Sequence, residues 1–385
     1  MSKKSKQPLL QNPGVVGVLA SLLSIVIGLV LGFILLVVLN PGASLEGMKA
    51  MMTTGFASMD KLGKVLYQAA PLMMCGLSVG FAFKTGLFNI GAPGQYTMGS
   101  FFALLCAIQF QLPWFVCLLA AAIGGAIWGI FPGLFKAYFN VNEVITSIMF
   151  NWIGLYLVNE IIYGRGSGVM YDAHNTRTWK LATNAPQAQI PSCGMSELFH
   201  TSNTTIAIFL AIIVAIVVWV VLEKTTFGYE LKAVGLNKNA ARYAGINEKK
   251  NVILSMTIAG ALAGFGAGLF YLSGGGEWNP LNSTSLPAMG FNGIATALLA
   301  NSNPIGTIFS SLFISHISVG GAYLPTKYFP SEIADLISGI IIYLCAFSML
   351  FRTLFERKLI HKKDTANANA EPAAKAVTKP EKEGK

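Results

Sequence analysis

The chain has 385 residues, of which 54% are hydrophobic and only 11% charged, and its mean hydropathy is +0.58. Soluble domains carry about 25% charged residues, so this composition excludes an ordinary soluble protein and indicates an all-α integral membrane protein. The net charge of +10 is spread over loops and the C-terminal tail. That distribution fits cytoplasmic loops beside anionic membrane lipid and argues against a nucleic-acid polymer as partner.

Apolar runs of the ~20 residues that a membrane helix needs recur along the chain. They predict about ten transmembrane helices in a domain of residues 14–351, with a polar cytoplasmic segment 1–13 before it and a disordered cytoplasmic tail 352–385 after it. Residues 40–64 are predicted to be a mixed loop. The predicted spans are, in chain order, Gly14–Leu39, Val65–Phe83, Gln95–Gln111, Trp114–Phe135, Glu143–Tyr163, Thr204–Leu222, Val252–Leu272, the short Pro287–Ala300, Ile305–Val319 and Ile333–Phe351.

The orientation follows from the positions of the cations. With the N-terminus inside, 20 of the 27 Lys and Arg residues lie on the inner side, and the inverted arrangement would oppose the positive-inside rule. Both termini and the basic loop 223–250 are therefore predicted to be cytoplasmic. Residues 164–203 become an extracellular loop, which is either a cap that contacts a partner or an ordinary long loop.

The basic loop 223–250 separates two strongly apolar runs. Its centre, Asn237–Ala244, combines helix-forming residues with an Asn at the start and Gly245 at the end, which predicts a short helix. We interpret this helix as a docking element on which a soluble partner could push. The alternative is a solvated loop that merely obeys the positive-inside rule.

Two segments interrupted by Gly and polar residues occur at membrane depth, Gly86–Gly99 and Met289–Pro304. Such a pair of broken segments indicates a substrate path, because unwound backbone is tolerated there only beside a cavity. Nearby neutral amides and aromatic rings suit a neutral, hydrogen-bonding solute with a planar ring. The alternative for each amide is that it caps a half-helix or joins helices. The candidate pathway residues are Phe88, Asn89, Gln95, Asn151, Trp152, Phe291 and Asn292.

Other sequence features narrow the function. The predicted spans are nearly free of the Asp, Glu and His that proton-coupled carriers place near mid-membrane; His316 is the exception, and we expect it to hydrogen-bond a neighbouring helix. There is no P-loop motif and no residue cluster typical of an enzyme, a metal site or a cofactor site. Gly260, Gly264 and Gly268 repeat every four residues, which predicts a close helix-packing face.

Four motifs within residues 65–351 resemble permease subunits of ABC importers of the ribose/branched-chain-amino-acid type, in the branch that imports nucleosides with a basic-membrane-protein-type lipoprotein. Two positions depart from the family pattern: Pro93 stands where the family usually has an acidic residue, and Asn292 where it has Asp. The motifs are GLFNIGAPGQYTMGSFFA (Gly86–Ala103), EVITSIMFNWIG (Glu143–Gly154), GYELKAVGLNKNAARYAGI (Gly228–Ile246) and GFNGIATALLANSNPIG (Gly290–Gly306).

The resemblance implies two inverted repeats in a multi-pass protein of the bacterial cytoplasmic membrane, with no catalytic residue of its own. It implies a second homologous permease, an ABC ATPase subunit and a substrate-binding lipoprotein as partners, and nucleoside import by alternating access. The open alternatives are the same machine for a simple sugar such as ribose, and an ATP-independent facilitator or channel. The residues that match the family's ATPase-coupling loop are Gly235, Asn239, Ala240, Ala241, Arg242, Ala244 and Gly245.

Overall fold

The computed structural model describes residues 13–165, 170–279, 285–325 and 327–329, together with isolated positions between 336 and 353. Helices dominate these residues, and two short strands, β1 (Tyr171–Asp172) and β2 (Arg177–Thr178), form a hairpin. The helices are α1 (Pro13–Leu39), α2 (Ser44–Thr53), α3 (Met59–Lys84), α4 (Ala92–Leu104), α5 (Trp114–Phe139), α6 (Glu143–Asn159), α7 (Leu181–Asn184), α8 (Met195–Leu198), α9 (Ala207–Lys224), α10 (Thr226–Leu236), α11 (Lys238–Tyr243), α12 (Glu248–Leu272), α13 (Ala288–Leu299) and α14 (Pro304–Gly321).

Within the described residues, seven helices are long and apolar enough to cross a membrane: α1, α3, α5, α6, α9, α12 and α14. Helix α13 is apolar but shorter, and α4 continues into a π-helical turn, Leu105–Gln109. These helices confirm an all-α, multi-pass membrane protein. The predicted segment 1–13 before Pro13, the predicted span 333–351 and the tail 352–385 lie outside the described residues, apart from the isolated positions.

Helix α12 lies at the centre of the bundle, where α3, α4 and α5 pack against it. The three glycines of the predicted packing face lie against α5. A Cβ on Gly260 would overlap the carbonyl oxygen of Gly125, and a Cβ on Gly264 would overlap that of Ala121. A Cβ on Gly268 would instead meet a side chain, 2.8 Å from Leu118 Cδ1. Two helix backbones can approach this closely only where side chains are absent.

The prediction of a loop over residues 40–64 is wrong. The segment contains α2, a 3-10 turn (Thr54–Phe56) and the first turns of α3. Helix α2 is only ten residues long and mixes polar with apolar residues, so it lacks the signal of a span. It packs on α14, where His316 Nε2 lies 2.8 Å from the carbonyl oxygen of Met52. This contact confirms the expected hydrogen bond of His316 to a neighbouring helix.

The basic loop is more helical than predicted. The predicted short helix is α11: Asn237 caps it by accepting from the backbone N–H groups of Asn239 and Ala240 at 3.0 and 3.1 Å, and Gly245 ends it with a φ of +82°. Helix α10 was not predicted, and α12 begins at Glu248 rather than Val252. In both cases a side-chain cap starts the helix within polar sequence, Thr225 for α10 and Asn247 for α12.

The described part of the loop 164–203 is folded against the ends of the helices. Thr178 of the hairpin donates its backbone N–H to the carbonyl of Trp278 at 2.8 Å, and Arg177 pairs with Glu277 at 3.2 Å. The indole of Trp278 donates to Asn159 Oδ1 at 2.9 Å. In the hairpin turn, the Asn175 amide donates to Asp172 at 2.6 Å and lowers the pKa of that carboxyl.

Candidate solute pathway and coupling surface

The two predicted broken segments meet at the N-termini of α4 and α13. A Cβ on Gly290 of α13 would lie 2.5 Å from the backbone nitrogen of Pro93 in α4. The backbone break before α4 spans residues 85–91, and Pro93 belongs to the first turn of the helix, a position where proline is well tolerated. The break after α13 lies at Asn301 and Ser302, both of which have a positive φ.

The two short helices diverge from this meeting point. Gly293 lies against Cys75, and Ala297 and Ser302 lie beside Gly80, so α13 runs parallel to α3. Helix α4 runs parallel to α6, because Ser147 lies beside Gly91 and Asn151 beside Gly94.

The directions of the long helices show that α4 and α13 run antiparallel to each other. Lys136 pairs with Glu143 at 2.8 Å, so α6 runs antiparallel to α5, and successive glycine contacts show that α5 runs antiparallel to α12. The Thr85–Ser255 hydrogen bond and the packing of Gly266 on Pro71 make α12 antiparallel to α3. Helices α4 and α13 therefore point their positive N-terminal ends at one another, an arrangement suited to electronegative groups of a solute.

Two of the candidate amides bond mainly to each other. Asn89 Nδ2 donates to Gln95 Oε1 at 2.8 Å, and Gln95 Nε2 donates back to Asn89 Oδ1 at 3.1 Å. Asn89 also donates to Ser78 Oγ of α3 at 2.9 Å. Both amides are completely or almost completely buried. They join the backbone break to α3 and to the first turn of α4, which satisfies polar groups at membrane depth.

Asn151 holds the start of α4 to α6. Its Oδ1 accepts from the backbone N–H of Gly94 at 2.9 Å, and its Nδ2 donates to the carbonyl of Ile90 at 3.0 Å. The side chain thus pairs with one backbone donor and one backbone acceptor that have no helical partner at the break. As arranged here, Asn89, Gln95 and Asn151 support the broken helix, the role that the sequence left open beside solute contact.

Replacing Asn151 with Leu should lower stability by about 2 kcal/mol, because Gly94 N–H and Ile90 C=O would be left unpaired in a buried site. The measurement is thermal unfolding of the full chain in detergent. Trp152→Leu is the matched control, since its side chain is 39% exposed and takes no part in this contact. Equal unfolding temperatures for the two variants would contradict the role of Asn151.

The remaining candidates lie at two places. Phe88 stacks on Phe83 with ring centroids 5.2 Å apart and packs in the same apolar cluster as Ile294 of α13. Phe291 is 41% exposed beside the meeting point, and the neighbouring Asn292 is half-buried. Trp152 turns outward and stacks on Tyr156 of its own helix at 5.9 Å. The structure therefore groups Phe88, Phe291 and Asn292 near the two helix ends and places the Trp152 ring elsewhere.

Sequence reasoning missed Ser147. Its side chain is fully buried, and its hydroxyl has no hydrogen-bond partner among the described residues. A Cβ on Gly91 would lie 3.2 Å from that hydroxyl and 3.1 Å from Asn89 Oδ1, so glycine keeps a small polar space open here. A serine on an apolar span gives no signal of this position, because its neighbours Asn89 and Gly91 come from a distant part of the sequence.

The second candidate site is the surface of α10 and α11. Leu236 and Tyr243 are 89% and 93% exposed, although both are large apolar side chains. The predicted residues Asn239, Ala240, Arg242, Ala244 and Gly245 are exposed as well. Ala241 is instead buried against α12, in a cluster with Val252 and Met256. Two almost fully exposed apolar side chains within a basic segment make this surface a candidate protein-binding site.

Several contacts connect this surface to the bundle, among them a hydrogen bond from Asn251 of α12 to Glu230 of α10 at 3.0 Å. Arg242 pairs with Glu248 in the first turn of α12. Gly235 at the end of α10 lies against the backbone of Lys84 and Gly86, where α3 ends. The surface therefore contacts both of the central helices, α12 and α3. Sequence reasoning selected Gly235 and Arg242 but missed Leu236, Tyr243 and Glu248.

The family follows from comparison with known proteins. A sequence profile described as "Branched-chain amino acid transport system / permease component" matches residues 62–346. The guanosine ABC transporter permease protein NupP of Bacillus subtilis is 34% identical, over 87% of this chain and 94% of its own. The nucleoside ABC transporter permease protein NupB of Lactococcus lactis is 33% identical, over 92% and 98%.

A third relative, the nucleoside ABC transporter permease protein NupC of the same Lactococcus, is 27% identical over 78% of this chain and 94% of its own. No solved structure matches the chain. The profile covers most of the transmembrane domain, including α4, α13 and the surface of α10 and α11. The chain belongs to the branched-chain amino acid transport permease family, as a multi-pass permease subunit of the cell membrane.

Proposed function

We propose that the chain is the membrane-spanning subunit of an ABC importer that carries nucleosides into the cell, with ATP hydrolysed by a separate subunit. The observation that supports this mechanism is the pair of short helices, α4 and α13, whose N-termini meet. The solute class is supported by NupP and NupB, which are named for guanosine and nucleosides and match over most of both chains. A second, homologous permease completes the membrane part, since such relatives exist in pairs in the same organism, as NupP and NupQ do.

The helix contacts support two inverted repeats. Helix α12 packs on α4 and α5, and α3 packs correspondingly on α13 and α14. Because α3 and α12 run in opposite directions, the two sets are related by inversion across the membrane. The repeat after α14 then requires one further span, as predicted for residues 333–351. This arrangement gives about ten spans, cytoplasmic termini and an extracellular loop 164–203, against which a substrate-binding lipoprotein would dock.

The proposed solute path follows the exposed side of the half-helix junction. Phe291 offers a ring face for stacking on a nucleobase, and the amide of Asn292 offers a donor and an acceptor for ribose hydroxyls. Asn89, Gln95 and Asn151 act behind this surface by holding the broken backbone. A neutral path suits a neutral solute, because a charged group there would demand a partner.

In the proposed mechanism, the ATPase subunit binds the exposed surface of α10 and α11 through Leu236 and Tyr243. Its movement on ATP binding would pass to α12 through the Arg242–Glu248 pair and to α3 through Gly235. Helices α3 and α12 carry the two half-helices, so their displacement would open the junction to one side of the membrane at a time. The lipoprotein, docked on the loop 164–203, would supply solute from outside.

The test is uptake of radiolabelled guanosine into vesicles that contain this chain with its ATPase and second permease. We expect ATP-dependent uptake that excess unlabelled nucleoside blocks and ribose does not. The double variant Leu236→Ser, Tyr243→Ser should reduce uptake at least about tenfold, because two exposed apolar anchors of ~1 kcal/mol or more each are lost. Tyr229→Ser is the control, since Tyr229 is also exposed (70%) but lies in the preceding turns of α10.

Each contrary outcome identifies a different function. Guanosine uptake that proceeds without ATP and ignores the double variant would indicate a facilitator. If ribose blocked the uptake and unlabelled nucleoside did not, the chain would still be an importer subunit, but its solute would be a sugar.

A further inference from the structure

A cluster of aromatic side chains leads from the start of α4 to the loop that follows α12. Tyr96 of α4 lies 6.5 Å from Tyr271, near the end of α12, and Tyr271 lies 6.3 Å from Trp278 in the loop, measured between ring centroids. These three side chains are buried. Tyr67 of α3 stacks on Phe270 of α12 at 5.4 Å. The cluster therefore lies between the place where α4 meets α13 and the end of α12 that is farthest from α11.

The loop after α12 closes over Tyr67. This strap, residues 273–278, contains three consecutive glycines. A Cβ on Gly275 would overlap the hydroxyl oxygen of Tyr67, so the phenol lies directly against the backbone of the strap. Gly274 and Gly276 have φ values of +76° and +152°, a region that favours glycine. Glycine is therefore needed both for the path of the strap and for its contact with Tyr67.

The far end of the strap is fixed to the β-hairpin. The carbonyl of Trp278 accepts from the backbone N–H of Thr178 at 2.8 Å, and the N–H of Trp278 donates to the hydroxyl of Thr178 at 3.0 Å. Glu277 pairs with Arg177 at 3.2 Å. The hairpin belongs to the loop 164–203, so a displacement of this loop would pass directly to the strap.

The contact between Tyr67 and the strap is closed but not fully satisfied. The Tyr67 hydroxyl is buried and has no hydrogen-bond partner among the described residues. A buried tyrosine hydroxyl usually finds a partner, and one that does not raises the free energy of the state that contains it. Movement of the strap away from Tyr67 would admit water to the hydroxyl. The closed arrangement therefore favours its own opening more than an ordinary apolar core contact would.

We propose that Tyr67 and the strap form the outer gate of the solute path, and that the hairpin holds this gate closed through Glu277 and Trp278. The inference rests on the proposed function, because it takes the α4–α13 junction as part of the path and the side of the loop 164–203 as the outside. The aromatic rings between the gate and the junction suit the passage of a nucleobase, which can stack on them. A protein that docks on the hairpin would move the strap and open the gate.

The test is the rate at which a membrane-impermeant methanethiosulfonate reagent labels Cys75, in vesicles of the assembled importer treated from the side of the loop 164–203. Cys75 lies eight positions after Tyr67 on α3, is fully buried and lies against Gly293 of α13. Peptide mass spectrometry measures the labelling at each cysteine. We expect slow labelling of Cys75 in the wild type. Gly275→Ala and Tyr67→Ala should each raise the rate at least about fivefold, because the first forces the phenol away from the strap and the second removes it.

Matched variants separate opening of the gate from other effects. Tyr67→Phe keeps the ring and should label as slowly as the wild type. Gly42→Ala changes a glycine between α1 and α2, where a Cβ would meet only Asn40 at 3.6 Å, and should also behave as the wild type. Glu277→Arg should raise the rate about threefold, because two cations replace the ion pair that holds the strap. Glu197→Arg, at an exposed acid of the same loop, should not.

Two other cysteines are internal controls. Cys193 is exposed in the loop 164–203 and should be labelled equally in every variant, whereas Cys117 of α5 is buried and should stay unlabelled. Wild-type labelling of Cys75 in Gly275→Ala and Tyr67→Ala would overturn the inference. So would labelling of Cys117 together with Cys75, or equal effects of Glu277→Arg and Glu197→Arg. None of these measurements needs solute or ATP, so a failure of the gate is distinguishable from a failure of nucleoside transport.

Discussion

Replacing Arg242 with Glu should abolish ATP-driven uptake while leaving the protein folded. The substitution puts a second carboxylate beside Glu248, where the ion pair between α11 and α12 now lies. The Arg242 side chain is 66% exposed, so loss of the pair should cost at most about 1 kcal/mol of stability. Repulsion would nevertheless displace α11 from α12 and break the proposed connection to the ATPase. Uptake in vesicles and the unfolding temperature in detergent measure the two effects separately.

Lys232→Glu is the matched control for this prediction. Lys232 belongs to the same basic segment and pairs with Glu223 at 2.9 Å, again at the surface. The substitution therefore makes the same change of charge next to a carboxylate, but at a pair that joins α10 to α9 and not α11 to α12. It should retain most of the uptake. If both variants lost uptake equally, net charge and not the α11–α12 connection would explain the result.

Helix α11 could be predicted because its signals are local. Asn237 and Gly245 lie within eight positions of one another, and each acts on its own backbone. The exposure of Leu236 and Tyr243 was not predictable in the same way. A large apolar residue in a short helix is as consistent with burial as with docking, and only the packing of Ala241 on α12 shows which side faces the bundle.

The half-helices were likewise recognisable, because Gly, Pro and Asn break a span wherever they cluster. The role of the amides was not. Asn151 bonds to Gly94 and Ile90, which lie 57 and 61 positions away, and no periodicity in the sequence encodes that pairing. Helix α2 was not predicted for a related reason. Its small buried face packs on α14 and α1, which come from opposite ends of the chain.

The glycine face of α12 connects these observations. If a partner bound to α10 and α11 moves α12, the motion reaches the short helices α4 and α13 only through the contacts that α12 makes with its neighbours. The closest of these are between backbones, at Gly260 and Gly264 against α5. Gly99 of α4 likewise lies against Gly264, so one position of α12 contacts both α4 and α5. Close backbone packing of this kind transmits displacement with little loss, because no flexible side chain intervenes.

Replacing Gly264 with Leu should prevent the bundle from assembling. Even a Cβ there would overlap the carbonyl of Ala121 and lie 2.9 Å from the Cα of Gly125, and the backbone of α5 cannot rotate away as a side chain can. Overpacking at such a contact should cost about 3 kcal/mol or more, observed as loss of the monodisperse peak in size-exclusion chromatography. Gly264→Ala and Gly260→Ala should lower the unfolding temperature clearly, whereas Gly268→Ala should lower it less. At position 268 the nearest atoms belong to side chains, the flexible end of Leu118 at 2.8 Å and the Cβ of Ala121 at 3.0 Å, and the gain in helix propensity of about 1 kcal/mol offsets part of the cost. Equal unfolding temperatures for the three alanine variants would show that α12 and α5 are not packed backbone to backbone.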